Sequence, residues 1–209
     1  MKLQEVYQKK KGEIEKHLNK FRKNYKQSDK EIFAELCFCL LTPQSKAKIC
    51  WEAIEKLVKN KLLYVGDEND IARYLVGVRF HNNKAKYIIS ARNFFSKNGK
   101  IKIKEKLERF NDINSMREYL AKNIKGFGMK EASHFLRNIG FYNDITILDR
   151  HILRNLKKHN VIDEIPKTLT KKKYLEIEKK MIEFSKKINI PLSHLDLLFW
   201  SMETGEIFK

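Results

Sequence analysis

Hydrophobic residues recur along this 209-residue chain at intervals of three and four, the spacing of one face of an α-helix. No stretch of useful length alternates apolar and polar residues as a half-buried β-strand would. The sequence therefore predicts an all-α fold. The predicted helices cover residues 3–21, 32–41, 47–57, 69–75, 84–95, 115–123, 129–139, 149–158 and 171–188, with a last helix starting near Pro191.

The segment at residues 32–41 gives the clearest single helix prediction. Ser28 followed three residues later by Glu31 has the form of a capping box, in which each side chain accepts the other residue's backbone N–H. The residues after it are apolar on nearly all sides, which indicates a central, buried helix. We expect two helical lobes with an active-site cleft between them. Residues 31–141 would form the central lobe, and residues 1–30 together with 142–209 the second.

Two glycines one residue apart, Gly126 and Gly128, lie between apolar periodic segments. Because glycine accepts backbone conformations that other residues avoid, the pair predicts a tight hairpin between two helices, a helix-hairpin-helix motif. Backbone N–H groups of such a hairpin approach a phosphate closely, and the positive end of the next helix adds to the attraction. The hairpin therefore predicts contact with a nucleic-acid backbone, although a simple helix C-cap has the same pattern.

Lys130 falls in the first turn of the helix after the hairpin, and Asp149 opens a later helix. The connection between them is short enough to fold Asp149 back toward Lys130. An amine nucleophile and a carboxylate that face one sugar are what a DNA glycosylase with lyase activity requires. Each residue also has a plainer interpretation, Asp149 as a helix N-cap and Lys130 as a phosphate contact. Trapping of a covalent complex with borohydride separates the two interpretations of Lys130.

The chain carries 44 Lys and Arg residues against 26 Asp and Glu, a formal net charge of +18. Such an excess predicts a polyanionic partner, nucleic acid before an anionic membrane surface. The N-terminal segment has no apolar core of signal-peptide length, and no run approaches the roughly 18 apolar residues of a spanning helix. We expect a cytoplasmic, nucleoid-associated monomer that binds double-stranded DNA and not membranes.

Cys37, Cys39 and Cys50 lie in apolar helical segments. Their odd number and their spacing indicate reduced core thiols, and three cysteines are too few for a four-cysteine iron–sulfur cluster. The histidines show no pair at metal-ligand spacing with an accompanying carboxylate. The sequence therefore predicts neither a metal site nor a cofactor.

The glycine hairpin, the lysine after it and the downstream aspartate resemble the helix-hairpin-helix superfamily of DNA base-excision glycosylases. Within that superfamily, the chain most resembles the second class of 8-oxoguanine DNA glycosylase/AP lyase over nearly its full length. The resemblance implies that Lys130 attacks C1′ of a flipped nucleotide, displaces 8-oxoguanine and forms a Schiff base. It also implies that Asp149 stabilises positive charge at C1′ and that β-elimination then nicks the strand.

Chemistry on a stacked base requires that the base be extruded and that something fill the gap. Phe80 and His81 lie in a segment that is similar to the superfamily's wedge loop. Pro43 and Gln44 lie in a segment that resembles the loop entering the DNA near the vacated base. Phe80 is the first wedge candidate, and burial in the core is the alternative.

The C-terminal segment resembles this second class in particular. Trp200 is expected to stack on the extruded base, unless it is a core residue. 8-Oxoguanine differs from guanine by a proton on N7 and an oxygen on C8, and the resemblance implicates Lys209 in telling the two apart. Two other functions stay open: a glycosylase/lyase for oxidised pyrimidines, and a non-enzymatic helix-hairpin-helix DNA-binding module.

Overall fold

The computed structural model describes residues 3–209, which form twelve α-helices and one small β-hairpin. The helices are α1 (Leu3–Asn24), α2 (Asp29–Leu41), α3 (Ala47–Lys59), α4 (Leu62–Val65), α5 (Glu68–Tyr74), α6 (His81–Phe95), α7 (Ile103–Leu107), α8 (Ile113–Asn123), α9 (Met129–Asn138), α10 (Arg150–Lys158), α11 (Lys171–Lys187) and α12 (Leu192–Thr204). The strands β1 (Ser96–Lys97) and β2 (Lys100–Ile101) pair antiparallel. The predicted all-α class is confirmed. None of the helices in residues 3–209 is both long and apolar enough to cross a membrane.

The chain divides into two compact units. One unit contains α1 up to Lys23 together with Leu136–Lys209, and the other is Asn24–Phe135. The boundary falls inside α9, so this helix contributes residues to both units. The active-site cleft expected from the sequence stays a prediction.

Helix α2 is the centre of the unit at Asn24–Phe135. Ser28 Oγ accepts the Glu31 N–H at 3.4 Å, and Glu31 Oε2 accepts the Ser28 N–H at 2.8 Å, which completes the predicted capping box. Every residue from Ile32 to Leu41 is buried, and α3, α6 and α7 pack around the helix. The predicted central, buried helix is therefore confirmed.

Helix α12 is the centre of the other unit, where it packs on both α10 and α11. Leu195, Leu197, Leu198 and Phe199 of α12 are fully buried. Asn155 of α10 donates from Nδ2 to the Phe199 carbonyl at 3.5 Å and to a carboxylate in the last turn of α12 at 3.1 Å. The apolar sequence of α12 thus places it in a core that α10 and α11 cover.

The cysteines have the predicted burial. The thiols of Cys37, Cys39 and Cys50 all lie in the core. Burial raises the pKa of Cys50 to about 11, opposed by the neighbouring Lys84 ammonium and a hydrogen bond from Ser45, so this group is a neutral thiol near pH 7. Its sulfur donates to the Leu41 carbonyl at 3.3 Å.

Three short elements were not predicted. Helices α4 and α7 have four and five residues, too few for a helical period to show in a sequence. The expectation of no strands is corrected by the hairpin of β1 and β2, whose strands have two residues each. Asn98 and Gly99 join them with φ values of 51° and 72°, as a type I′ turn requires, and the Asn-Gly pair was the available signal.

Candidate functional site

The predicted hairpin is residues 124–128, between the end of α8 and the start of α9. Gly126 has a φ of 88°, in the left-handed region that favours glycine. A Cβ at Gly126 would lie 2.5 Å from a ring carbon of Tyr87, so the hairpin packs too closely on α6 for a larger residue. The Phe127 N–H donates to the Ile124 carbonyl at 3.0 Å, and the Phe127 side chain is buried. Packing against α6 therefore fixes the shape of the helix-hairpin-helix.

The second glycine has a different task. Gly128 is the last residue before α9, and the Ala132 N–H donates to its carbonyl at 3.0 Å. The Gly128 N–H donates to Oε2 of Glu131 at 3.0 Å, which is the half of a capping box in which the third helical residue reaches back. A Cβ at Gly128 would lie 3.2 Å from that oxygen, so a larger residue would crowd the carboxylate.

Lys130 is the second residue of α9, and its ammonium nitrogen lies 2.9 Å from Oε1 of Glu131. The side chain of Lys130 is 25% exposed and that of Glu131 is 12% exposed, so the pair is accessible but sheltered. Glu131 thus holds the hairpin with one oxygen and the lysine with the other. This residue was not predicted from the sequence, although a glutamate at the third helical position is a recognised capping signature.

Asp149 is the N-cap of α10, as its position before an apolar helical run indicated. Its Oδ1 accepts the Ile152 N–H at 2.9 Å, and its backbone is extended, with φ −85° and ψ 179°. The side chain is partly exposed. A residue at this place can present its second carboxylate oxygen away from the helix while the first one caps it.

The segment before Asp149, residues 145–148, is buried and has no regular secondary structure. Its backbone groups pair with buried side chains of α11. Glu178 accepts the Thr146 N–H at 2.8 Å, and Tyr174 donates its hydroxyl to the Thr146 carbonyl at 2.6 Å. The Leu148 N–H donates to the same hydroxyl at 3.3 Å. These side chains fix the approach to α10 and with it the position of Asp149.

Asp196 of α12 completes this support from the other side. It accepts the Ile147 N–H on Oδ1 at 3.3 Å and forms a buried ion pair through Oδ2 with Arg137, at 2.8 Å. Burial raises the pKa of Asp196, with the Arg137 guanidinium opposing this shift and the charge of Asp149 adding to it. A single carboxylate within the apolar run of α12 was the sequence signal for this residue, and it was missed.

Two of the predicted DNA-facing residues have strained backbones. Gln44 and Phe80 have φ values of 57° and 58°, in the left-handed region, which costs about 1–2 kcal/mol for a residue other than glycine. Strain of this kind persists only where the surroundings impose it, and it concentrates at functional sites. Phe80 is also 52% exposed, so the alternative that it is a core residue is wrong. His81, the first residue of α6, is exposed as well.

Lys84 of α6 links the two loops that are predicted to face DNA. Its ammonium donates to the carbonyl oxygens of Leu41 and Pro43, both at 2.7 Å, and to Ser45 Oγ at 3.1 Å. Ser45 Oγ also accepts the Arg79 N–H at 3.0 Å. The loop after α2 and the loop before α6 therefore share one hydrogen-bond network.

Lys84 also places a second cation near the first turn of α9. Burial lowers the pKa of Lys84, and the ammonium of Lys130 lowers it further. Cys50 and the carboxylate of Glu131 act in the opposite direction and raise this pKa. The carbonyls that Lys84 contacts lie at the C-terminal end of α2, the negative end of the helix dipole. Two lysines and one carboxylate thus share the surroundings of the hairpin.

The proposed base-pocket residues lie at the C-terminus of the chain. Trp200 is in α12 and is half-buried, unlike the neighbouring Phe199, which is fully buried. Gly205, with a φ of 84°, ends the helix, and Lys209 follows four residues later with a half-buried side chain. Contact of either side chain with a base stays a prediction.

The structure groups the predicted residues into two sets. Gly126, Gly128 and Lys130 occur together at the hairpin, in the same unit as the network of Lys84. Asp149 belongs to the other unit, with Trp200 and Lys209. The pairing of Lys130 with Asp149 around one sugar stays a prediction.

Comparison with known proteins gives consistent matches along the chain. The sequence profile of the family described as 8-oxoguanine DNA glycosylase matches residues 14–190. The 8-oxoguanine DNA glycosylase/AP lyase of Fusobacterium nucleatum subsp. nucleatum is 46% identical over 208 residues, which cover 99% of this chain and 96% of that protein. The protein of the same name from Methanocaldococcus jannaschii is 41% identical over 196 residues, or 94% and 91% of the two chains.

A solved structure matches as well. The crystal structure of the Methanocaldococcus jannaschii 8-oxoguanine glycosylase/lyase in complex with a 15mer DNA containing 8-oxoguanine superposes with a TM-score of 0.89. Sequence identity is 38%, and the match covers 99% of each chain. Sequence and fold therefore agree from one end of the chain to the other.

Proposed function

The chain belongs to the 8-oxoguanine DNA glycosylase family of helix-hairpin-helix proteins, and we propose that it excises 8-oxoguanine from DNA and nicks the strand as an AP lyase. The observation that carries this proposal is the similarity to glycosylase/AP lyases over nearly the whole length. The lysine in the first turn after the hairpin supports it, because that residue type supplies the amine that a lyase requires.

Lys130 is the nucleophile of the proposed reaction. Its neutral amine attacks C1′ of the extruded nucleotide, and the C1′–N9 bond breaks with its electron pair on the departing base. Opening of the sugar ring gives a Schiff base between Lys130 and C1′. Loss of a proton from C2′ then expels the 3′ phosphate by β-elimination, and the strand is cut.

Asp149 is the carboxylate that stabilises positive charge developing at C1′. An ionised group that is already in place does not have to reorganise during the reaction, which makes it effective. The buried side chains around residues 145–148 support this role, because they fix the backbone that carries Asp149.

Extrusion of the damaged base is the task of the two loops. Phe80 is the wedge, with His81 beside it, and Pro43 and Gln44 approach the vacated position from the other loop. The strained backbone of Gln44 and Phe80 supports this assignment. In the C-terminal segment, Trp200 stacks on the extruded base, and Lys209 distinguishes 8-oxoguanine from guanine.

The partner is double-stranded DNA that contains oxidised guanine, and the charge of +18 supplies the general attraction to its backbone. We further propose that the protein acts as a monomer in the cytoplasm, in association with the chromosome. Sedimentation of the protein with and without a duplex tests whether it is a monomer. Fractionation of cells tests its location.

The test uses duplex oligonucleotides that carry one 8-oxoguanine, one thymine glycol or no lesion. Base release and strand scission are followed separately, with borohydride added to trap a covalent complex. Lys130→Gln is expected to lower base release by on the order of 10³-fold and to abolish trapping. Lys56→Gln, which makes the same charge change on the exposed face of α3, is the matched control and keeps both.

The outcome also separates the alternatives. Preference for thymine glycol would indicate a glycosylase/lyase for oxidised pyrimidines. Binding without any base release, unchanged in Lys130→Gln, would indicate a non-enzymatic DNA-binding module. The names of the relatives favour neither.

A further inference from the structure

The carboxylate of Glu131 contacts the reacting nitrogen of the proposed site. Neighbouring residues on a helix do not face each other, yet the Lys130 ammonium lies 2.9 Å from Oε1 of Glu131. The other oxygen is held by the Gly128 N–H at 3.0 Å, and the side chain is 12% exposed. Glu131 is therefore fixed by the hairpin backbone, and the lysine side chain folds back to meet it.

This arrangement has a consequence for the chemistry. An ammonium group paired with a carboxylate carries its proton, and a protonated amine has no lone pair with which to attack C1′. The proton must leave before Lys130 can react. Oε1 of Glu131 is within hydrogen-bond distance of that proton, which is the geometric requirement for a general base.

A second lysine interacts electrostatically with this pair. The buried ammonium of Lys84, on α6, interacts with both Lys130 and Glu131. The Cys50 thiol on α3 also interacts with Lys84 and is neutral near pH 7, so it adds no charge that would compete for the proton.

We propose that Glu131 is the general base that deprotonates Lys130, an inference that rests on the proposed glycosylase function. The proton moves from Nζ of Lys130 to Oε1 of Glu131, and the freed lone pair forms the Nζ–C1′ bond. The C1′–N9 bond breaks with its electron pair on the base, which takes up one proton. The net transfer is that of the Lys130 proton to the departing base by way of Glu131, which returns to the carboxylate.

The two oxygens of Glu131 allow its structural and chemical roles to be separated. In Glu131→Gln the amide oxygen still accepts the Gly128 N–H, while the amide nitrogen takes the place of Oε1 and cannot accept a proton. This variant keeps the cap and loses the base. Glu131→Ala loses both. Glu55→Gln, on the exposed face of α3, removes one negative charge at a distance and is the matched control.

The experiment measures single-turnover release of 8-oxoguanine from a duplex between pH 6 and pH 10, with melting temperature and DNA affinity measured alongside. Glu131→Gln is expected to lower release at pH 7 by on the order of 10²-fold and to melt within about 2 °C of the wild type. Because solvent must then take the proton, the deficit should shrink by about tenfold per pH unit and close above about pH 9. Glu55→Gln should match the wild type throughout.

A second readout uses Glu131→Ala, whose missing carboxylate leaves room for a small acid. Formate is expected to restore base release in this variant and to leave Glu131→Gln unchanged. A deficit of Glu131→Gln that is the same at every pH, together with no formate rescue, would mean that Glu131 is a helix cap and no base. A wild type that releases no 8-oxoguanine would instead overturn the proposed function itself, and the inference with it.

Discussion

Asp149 divides its two carboxylate oxygens between the fold and the chemistry. Oδ1 caps α10, and Oδ2 is the oxygen that we expect to face the sugar. Asparagine caps a helix about as well as aspartate does, so Asp149→Asn should melt close to the wild-type temperature. Its base release should fall by about 10²–10³-fold, because the neutral amide does not stabilise positive charge at C1′. Melting curves and single-turnover assays on the same preparation check both parts.

Asp149→Ala is the control for this substitution. It removes the cap as well, which costs about 1 kcal/mol and lowers the melting temperature by about 2–4 °C. An Asp149→Asn protein with wild-type base release would leave Asp149 as a helix cap only, and the source of charge stabilisation would have to be sought elsewhere.

The backbone of Phe80 is strained at its exposed position. A φ of 58° is energetically unfavourable for phenylalanine and not for glycine. Phe80→Gly should therefore leave the melting temperature unchanged or slightly raised, since relief of strain offsets the added entropy of the unfolded chain. The same change removes the wedge, so excision from a duplex should fall more than excision from a single strand. The ratio of the two rates is the quantity to measure.

Lys61 supplies the matched control for this experiment. It is the N-cap of α4 with a φ of 62°, so Lys61→Gly releases the same kind of strain outside the two loops that are proposed to face DNA. Its ratio of duplex to single-strand activity should stay at the wild-type value. If Phe80→Gly also kept the wild-type ratio of duplex to single-strand activity, Phe80 would be excluded as the wedge.

At the scale of the elements, the helix-hairpin-helix depends on how closely residue 126 approaches α6. Alanine at position 126 would be strained by the left-handed φ of this residue. Its methyl group would also lie 2.5 Å from a carbon of the Tyr87 ring. Gly126→Ala should destabilise the fold by about 2–3 kcal/mol in urea unfolding, and weaken DNA binding because the hairpin must move. Gly99→Ala is the control, since it has a φ of 72° and open space around the new methyl group, and should cost about 1 kcal/mol. Equal losses in the two variants would show that the ring yields easily.

The elements that could be predicted from the sequence are those specified by neighbours in the chain. The Ser28–Glu31 capping box and the apolar run after it determine α2 locally, and the Gly126–Gly128 pair does the same for the hairpin. The N-cap role of Asp149 is equally local. The hairpin of β1 and β2 is also specified locally, because the Asn98-Gly99 pair favours a tight turn. It was not predicted because each of its strands has only two residues.

The residues that escaped prediction act across the chain. Lys84 bonds to carbonyls more than forty positions before it, and Asp196 bonds to a backbone N–H forty-nine positions away. No periodicity or spacing encodes such partners. The common hint was a charged residue inside an apolar stripe, which is costly unless it is paired. The capping role of Glu131 could have been predicted from its position in the sequence, whereas its contact with Lys130 could not.

For the whole molecule, the charge of +18 raises the question of which lysines actually contact DNA. Binding to phosphates releases counterions, so the logarithm of the affinity falls linearly with the logarithm of the salt concentration. The slope of this line is proportional to the number of phosphates neutralised. A diffuse field speeds the encounter but contributes less to that slope than a direct contact does. The salt dependence therefore distinguishes a lysine at the interface from a lysine that only adds charge.

Lys125 and Lys173 form a matched pair for this measurement. Lys125 is exposed on the hairpin, with its ammonium 5.7 Å from the centre of the Tyr87 ring, whereas Lys173 on α11 pairs with Glu176 at 3.0 Å. Affinity for an undamaged duplex is measured by fluorescence anisotropy from 50 to 300 mM salt. Lys125→Gln should reduce the slope of log affinity against log salt by about 0.9, and Lys173→Gln should leave it unchanged. Equal slopes in both variants would mean that the hairpin lysine contacts no phosphate, and that the charge of the molecule acts on DNA only as a field.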